Sequence, residues 1–282
     1  VDVSVIIVTW NSEQHIRKCL EAVRGRAINL RSEIMVVDNF SSDGTVKEVQ
    51  EFSPTVALIE NQENLGYAHA NNQGIEKSTG TYVLLLNPDT EIEGNALDLM
   101  LKFMDAKPRV GAMGPRLLNP DGSVQASCRE FPRFSTLLCE FTGLSRLFRK
   151  SRIFGRWRMG YFDFDRTIEV DQPMGSCLML RHETLEQVGA FDESFPMFFN
   201  DVDLCYRIKA AGWKIFFYSE AQVTHYRGAS TSKAKRKMIW LSHLAFYRFF
   251  RKHKSGWGNR LLLSLLLIPL VLTALLRMIV KR

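Results

Sequence analysis

The feature that most constrains this chain is a repeated alternation of short β-branched or leucine-rich runs with amphipathic helical stretches. Residues 3–9 (VSVIIVT) form the first run, and Ser12 is placed to cap a helix whose Ile16, Cys19, Leu20 and Val23 share one face. Residues 34–37 end in Asp38 and the turn cluster NFSSDG, where Asp43 is a helix cap and Val46 and Val49 open a second helix. Residues 56–59 read as a third strand. After the NLG turn come a helix reaching Lys77, the run YVLLLNPD, a helix carrying Leu97, Leu101 and Met104, and an apolar run at 110–113. Parallel neighbours need a crossover, and a helix supplies it, so this spacing predicts an α/β chain with a doubly wound, mainly parallel sheet.

In such a sheet ligands bind beyond the carboxyl ends of the strands. Thr9 and Asn11 close the first strand, Asp38 the second, and Asn87, Pro88 and Asp89 follow the fourth. Neither GxGxxG nor GxxxxGK[ST] occurs, which argues against nicotinamide enzymes and ATPases of those classes. With no glycine-rich cradle, a divalent cation on Asp89 is the economical way to neutralise phosphate, because a hard cation prefers carboxylate oxygen and bridges a diphosphate. Each of these residues also has a purely structural use. Asp38 and Asp201 fit as caps, Asp89 as an Asx-turn residue and His225 as a satisfied structural histidine.

Charge divides the chain. The last 62 residues carry 13 of the 37 Lys and Arg and no acid, which leaves 24 basic against 30 acidic residues before them. Residues 144–158 (LSRLFRKSRIFGRWR) hold six basic residues among Leu, Phe, Ile and Trp, and 238–254 set Trp240, Phe246, Tyr247, Phe249 and Phe250 beside Arg248, Arg251 and Lys252. Basic residues mixed with large apolar ones describe interfacial helices on an anionic membrane surface. Residues 261–276 are sixteen without a charge, about 24 Å of helix against a hydrocarbon core of roughly 30 Å, so spanning and shallow insertion both stand. A leucine-rich segment of this kind suits lipid and not nucleic acid. The five cysteines are scattered without a CxxC pair, and the opening run lacks a basic n-region. The expectation is a reducing compartment, no signal peptide, and a body on the cytoplasmic face of a membrane, attached through its C-terminal region.

Seven segments in order resemble glycosyltransferase family 2 over roughly residues 1–230: VSVIIVTWN, MVVDNFSSDGT, NLGYAHANNQG, LLLNPDTEI, GSCLMLRHE, VGAFDESFPMFFNDVDLCYRIKAAGW and VTHYRGAS. Within that family they look most like bacterial rhamnosyltransferases of cell-wall and O-antigen assembly. The resemblance implies a GT-A domain at 1–230, with a nucleotide-binding half at about 1–115 and an acceptor-side half at about 116–230. Basic amphipathic and apolar membrane-associating helices follow at 231–282.

The same resemblance implies inverting, Mg²⁺- or Mn²⁺-dependent transfer from a nucleotide-diphosphate sugar. Asp38 then contacts the nucleobase, Thr9, Asn11, Gly66 and Asn71 line the nucleotide pocket, and Asn87 and Asp89 stand at the ends of the DxD motif. Asp89 keeps the metal carboxylate, whereas Asn87 replaces the first aspartate. His225 lies near metal or diphosphate, and Arg227 and Ser230 reach phosphate oxygens. Asp201 holds the base position of an ED pair whose glutamate is Asn200 here. The favoured donor is dTDP-rhamnose and the favoured acceptor a polyprenyl-diphosphate saccharide. A UDP-sugar donor and a degenerate, membrane-anchored binding module are the alternatives. Removing 231–282 is expected to spare donor binding and reduce transfer to a lipid acceptor.

Overall fold

The alternation holds through the first half of the chain. The structure, a computed structural model, describes residues 1–26, 30–195, 197–226, 235–254 and 256–280. In order come β1 (Val3–Thr9), α1 (Glu13–Arg26), β2 (Ser32–Asp38), α2 (Thr45–Gln50), β3 (Ala57–Glu60), α3 (Tyr67–Lys77), β4 (Tyr82–Leu86), β5 (Thr90–Ile92), α4 (Ala96–Asp105) and β6 (Val110–Leu118). Ile16, Cys19, Leu20 and Val23 are the buried face of α1, as their spacing predicts. Ser12 does not cap that helix with its side chain, because its hydroxyl donates to the Trp10 carbonyl at 3.4 Å. Asp43 serves two helix starts instead, accepting the Glu13 N–H at 3.3 Å and the Thr45 N–H at 3.0 Å.

The second half adds β7 (Cys128–Arg129), α5 (Phe134–Phe141), α6 (Leu144–Leu147), β8 (Ile168–Glu169), β9 (Gln172–Pro173), β10 (Cys177–Arg181), α7 (His182–Val188), α8 (Asn200–Ala210) and β11 (Lys214–His225). The main sheet runs β3-β2-β1-β4-β10-β6-β11-β5, with β8 also on β11. Pairing is parallel from β3 to β4 and between β6 and β11. Between these parallel parts lies β10, antiparallel to both β4 and β6, and its all-apolar core CLML is buried on both sides. No local signal in the sequence gives the direction of such a strand. One face of the sheet packs α1, α2 and α4 through Leu20, Leu97 and Met100, and the other packs α3, α7 and α8 through Ala68, Leu185 and Ile208.

Two further helices follow, α9 (Lys235–His253) and α10 (Trp257–Val280), the second passing through Pro269 without a break. Of the aromatic residues expected to meet lipid from α9, Trp240 is exposed, whereas Phe249 and Phe250 close a core. Phe249 and Phe250 are fully buried with Phe195 and Leu137, and the Phe250 ring lies 4.5 Å from that of Phe134. Six aromatic or aliphatic side chains from three segments exclude more water together than a single helix laid on a surface, so burial in the protein wins. No helix among the described residues is long and apolar enough to cross a membrane.

Candidate active site

At the carboxyl ends of β1 and β2 the sequence-predicted rim residues meet. Asp38, 2% exposed, accepts the Thr9 hydroxyl at 2.9 Å and the Ser41 N–H and hydroxyl at 2.8 and 2.5 Å. Asn11, at φ 51°, accepts the Ser42 N–H at 2.8 Å, while its own N–H donates to Ser41. Thr9 and Asp38 therefore form the buried floor that fixes the loop 39–42. Gly66 precedes α3 at φ 88°, ψ 161°, a region essentially reserved for glycine, and Asn71 is buried inside α3, donating to the Tyr67 carbonyl.

Asp89 and His225 come together through sheet register. His225 pairs with Thr90 across the β5–β11 ladder, and the Tyr226 N–H returns to the Asp89 carbonyl at 2.9 Å, which sets Asp89 Oδ1 3.4 Å from His225 Nε2. The Gln125 amide donates to the His225 carbonyl at 2.7 Å, so its Oε1 is left to accept from Nδ1 at 3.1 Å. In the neutral ring this puts the proton on Nδ1 and the lone pair of Nε2 toward the carboxylate. Two lone pairs facing one another across 3.4 Å are what a cation relieves, and an orienting amide behind a histidine is the usual support of a metal ligand. Among the described residues no three His, Cys, Asp or Glu side chains gather to hold a metal. The pair still fits Mg²⁺ or Mn²⁺, since Mg²⁺ is ordinarily held by one or two protein ligands and completes its shell from phosphate and water.

Across the site Asp201 occupies the first turn of α8. Its Oδ2 accepts from Gln172 Nε2 at 2.8 Å and the Gly175 N–H at 3.2 Å, and its Oδ1 from the Val202 N–H at 2.9 Å. Burial raises its pKa above the ordinary 3.8, and these bonds offset the shift only in part. A Cβ on Gly175 would stand 3.3 Å from that of Asp201, so the strand must be bare there for the carboxylate to seat. Asn200, where the resemblance expects glutamate, folds back to accept the Asp201 N–H at 2.7 Å. Tyr67 bridges the two sides, its hydroxyl 3.4 Å from Asn87 Oδ1 and 3.2 Å from the Gly175 carbonyl. Burial, with Asp201 close by, pushes the Tyr67 pKa up and keeps it a donor.

These parts lie at the strand ends of one α/β domain, and the model for glycosyl transferase family 2 matches residues 4–186. The chain belongs to glycosyltransferase family 2. It is 30% identical, over 90% of its length and 85% of the relative's, to an N-acetylglucosaminyl-diphospho-decaprenol L-rhamnosyltransferase of Mycobacterium tuberculosis. Among solved structures it resembles a mannosyltransferase of Pyrobaculum calidifontis in complex with GDP-Man and Mn²⁺ (21% identity, TM-score 0.60, 90% of this chain). It also resembles residues 1–349 of TarS from Staphylococcus aureus (16% identity, TM-score 0.58, 87% of this chain). The chain spans 65% and 64% of those two structures, and at these identities the likeness establishes the GT-A fold alone.

In this family 2 glycosyltransferase the helix bearing Asp201 is held from the C-terminal side. Asp203, fully buried, meets Arg207 Nε at 2.9 Å, Lys252 Nζ at 2.7 Å and His253 Nε2 at 2.6 Å. Burial pushes Asp203 up, but the bonds to His253 and Lys252 and the charge of Arg207 outweigh it and hold the carboxylate low. Lys252 also reaches Asp192 at 2.6 Å, and Arg248 donates to the Ser194 carbonyl. Phe199 caps α8 at φ 65°, a costly conformation for a bulky residue, and Phe246 and Phe249 pack it at ring distances of 4.4 and 5.7 Å. Asp203 is thus the centre of a buried ion cluster and not merely a charge at a helix start. Tyr67, Gln125, Gln172 and Asp203 escape sequence reasoning because the partners that define them, Gly175, His225, Asp201 and His253, lie 29 to 108 positions away. Arg227 and Ser230 lie outside the described residues, as does the expected boundary at 230.

Proposed function

We propose that this glycosyltransferase moves a hexose, with L-rhamnose from dTDP-rhamnose the favoured donor, onto a lipid-linked diphosphate saccharide, with inversion, at the cytoplasmic face of a bacterial membrane. One observation carries the reading: the Tyr67 hydroxyl joins the segment of Gly175, which holds the raised-pKa carboxylate of Asp201, to Asn87, two residues before the Asp89 that meets His225. Inverting transfer uses both ends of this link. Asp201 takes the proton from the acceptor hydroxyl as its oxygen forms the new bond to the anomeric carbon, and the bond to the departing diphosphate breaks on the opposite side. Asp89 and His225 would hold a divalent cation, which supplies charge neutralisation to the leaving diphosphate. Thr9, Asn11, Asp38, Gly66 and Asn71 give the nucleotide a rim fixed before it arrives.

The rhamnosyl donor and lipid-linked acceptor are supported by the name of the mycobacterial relative, and the membrane by exposed surface. Trp257, Leu261, Leu265 and Ile268 are exposed at helical spacing along α10, and Leu147 and Ile153 are more than 70% exposed among Arg146, Arg149, Lys150 and Arg152. Apolar residues set among cations match an anionic lipid surface. A UDP-sugar donor keeps the same mechanism.

The deciding measurement is thermal stabilisation by dTDP, dTDP-rhamnose, UDP and UDP-sugars, each with and without Mn²⁺. A ligand at 100 times its dissociation constant adds about 2.7 kcal/mol. A metal-dependent shift confined to dTDP compounds supports the rhamnosyl reading, a shift with UDP compounds replaces the donor, and no shift with any nucleotide overturns it. Asp201→Asn is expected to lose about 10² to 10⁴ in kcat with nucleotide binding retained.

A further inference from the structure

One cation beside the base has no counterpart. On β6, Met113 and Leu117 enter the core under α4, so by strand alternation Gly114 and Arg116 point to the opposite face. That face is the base side, since a Cβ on Gly114 would meet Pro173 Cβ at 2.5 Å, and Pro173 adjoins Gln172, a donor to Asp201. Continuing the β6–β10 register (Met179 with Met113, Leu180 with Ala112) brings Arg116 opposite Ser176. Ser176 lies between Gly175, which donates to Asp201, and Cys177, and its carbonyl accepts the Asn87 N–H at 2.8 Å. Ser127 borders the same strip, its carbonyl accepting the Met174 N–H at 2.7 Å, while Gln125 two residues earlier holds His225.

Arg116 Nε, Ser127 Oγ and Ser176 Oγ are all buried without a hydrogen-bond partner, and both serines are 3% exposed. No acceptor among the described residues engages the Arg116 guanidinium at all. A guanidinium on the sheet face that carries the Ser176 strip, with no acceptor among the described residues, is left unsatisfied by the protein and complements an oxyanion.

We propose that Arg116, Ser127 and Ser176 form a subsite for the phosphate oxygens of a diphosphate seated beside Asp201. The proposal rests on the glycosyltransferase reading above. That diphosphate belongs either to the nucleotide sugar or to the lipid-linked acceptor, and the chemistry of recognition is the same for both. Arg116 acts by binding and takes no part in proton transfer.

The test uses the full chain and the variants Arg116→Met, Arg116→Lys and the double variant Ser127→Ala with Ser176→Ala, each checked for an unchanged melting profile. Inorganic pyrophosphate titrated into wild type and Arg116→Met reads the subsite without any sugar transfer. The expected result is at least about tenfold weaker binding in Arg116→Met, partial recovery in Arg116→Lys, and a loss of about two- to tenfold in the serine double variant. Two further arms separate the sources. Weaker dTDP or UDP binding with Mn²⁺ assigns the subsite to the donor. A raised KM for a prenyl-diphosphate saccharide, with KM unchanged for an uncharged alkyl glycoside of the same sugar, assigns it to the acceptor. Equal pyrophosphate binding by wild type and Arg116→Met, or no binding by either, overturns the subsite whatever the transfer assays give. Failure of wild type to bind any nucleotide, with pyrophosphate binding intact and dependent on Arg116, instead overturns the glycosyltransferase reading of the site.

Discussion

The rim proposed to take the nucleotide and the helix that carries the proposed base, Asp201, are held by different forces. Around Thr9, Asn11 and Asp38 the bonds join the ends of two adjacent parallel strands and the loops that leave them, and Asp38 holds Ser41 only three residues on. Around Asp201 the supports come from far away. Gln172 and Gly175 arrive from β9 and the strip before β10, and Asp203 two residues on is neutralised by Lys252 and His253 of α9. The rim is organised by its own sheet, whereas the base depends on the C-terminal helix for both packing and charge. A helix read from composition as membrane-binding is therefore also part of the catalytic domain's core.

That difference is sharpest where the chain is cut. Removing residues 235–282 takes away Phe249, Phe250 and two of the three partners of Asp203, Lys252 and His253, so the acceptor side should fail to fold, read as a lost cooperative melting transition. Ending the chain after Lys254 keeps α9. It should leave nucleotide binding and transfer to a soluble acceptor intact while reducing sedimentation with anionic vesicles and transfer to a lipid acceptor. An equal loss toward both acceptors would count against α10 as the lipid-facing element. Structure thus shifts the informative truncation from 231 to 255.

Asp203→Ala is next in size. It leaves Arg207 and Lys252 without their buried anion, and breaking such a cluster costs about 3–5 kcal/mol, measurable by denaturant unfolding. Asp38→Ala strands the Thr9 hydroxyl and the Ser41 N–H on the rim and should cost less, about 1–3 kcal/mol, with nucleotide affinity falling and the α8 side unaffected. If Asp38→Ala proved the more damaging of the two, the distinction between a self-supporting rim and a dependent base would be wrong.

The smallest effect is on pH. Asp201 must be ionised to accept a proton, and burial raises its pKa, so activity should fall as pH drops through a midpoint above 3.8. Gln172→Leu removes a donor that favours the charged form, and the acid limb of the kcat profile should move to higher pH. A limb at or below 3.8, or one unmoved in Gln172→Leu, would mean that Asp201 is not the group being titrated.

How much was legible follows from range. β1, β2, β3, β4 and α1, α3 and α4 are written in local periodicity, and the order Thr9, Asp38, Asp89 at strand ends follows from the winding rule alone. β10 was quoted in the sequence only as a motif, because GSCLMLR reads equally well in either strand direction. Ser12 does not cap α1 because its hydroxyl turns back to the Trp10 carbonyl, and Asp43 comes from another loop to accept the Glu13 N–H. Gln125, Gln172 and Tyr67 look ordinary in sequence, and only the fold gives them a histidine, a carboxylate and a bridge to act on.

The sequence by itself determined the alternating α/β architecture, the acidic body and basic tail, and the positions of Asp38, Asp89, Asp201 and His225. These are properties of single residues or of neighbours within a turn or two, where hydrophobic period and turn chemistry act. The tertiary structure alone decided that β10 runs backwards, that His225 faces Asp89, that α9 brings Lys252 to Asp203, and that Arg116 Nε finds no partner among the described residues. Those outcomes depend on register and burial between distant segments, where the cost of an unpaired charge and the gain of excluding water are settled only once the whole chain has closed.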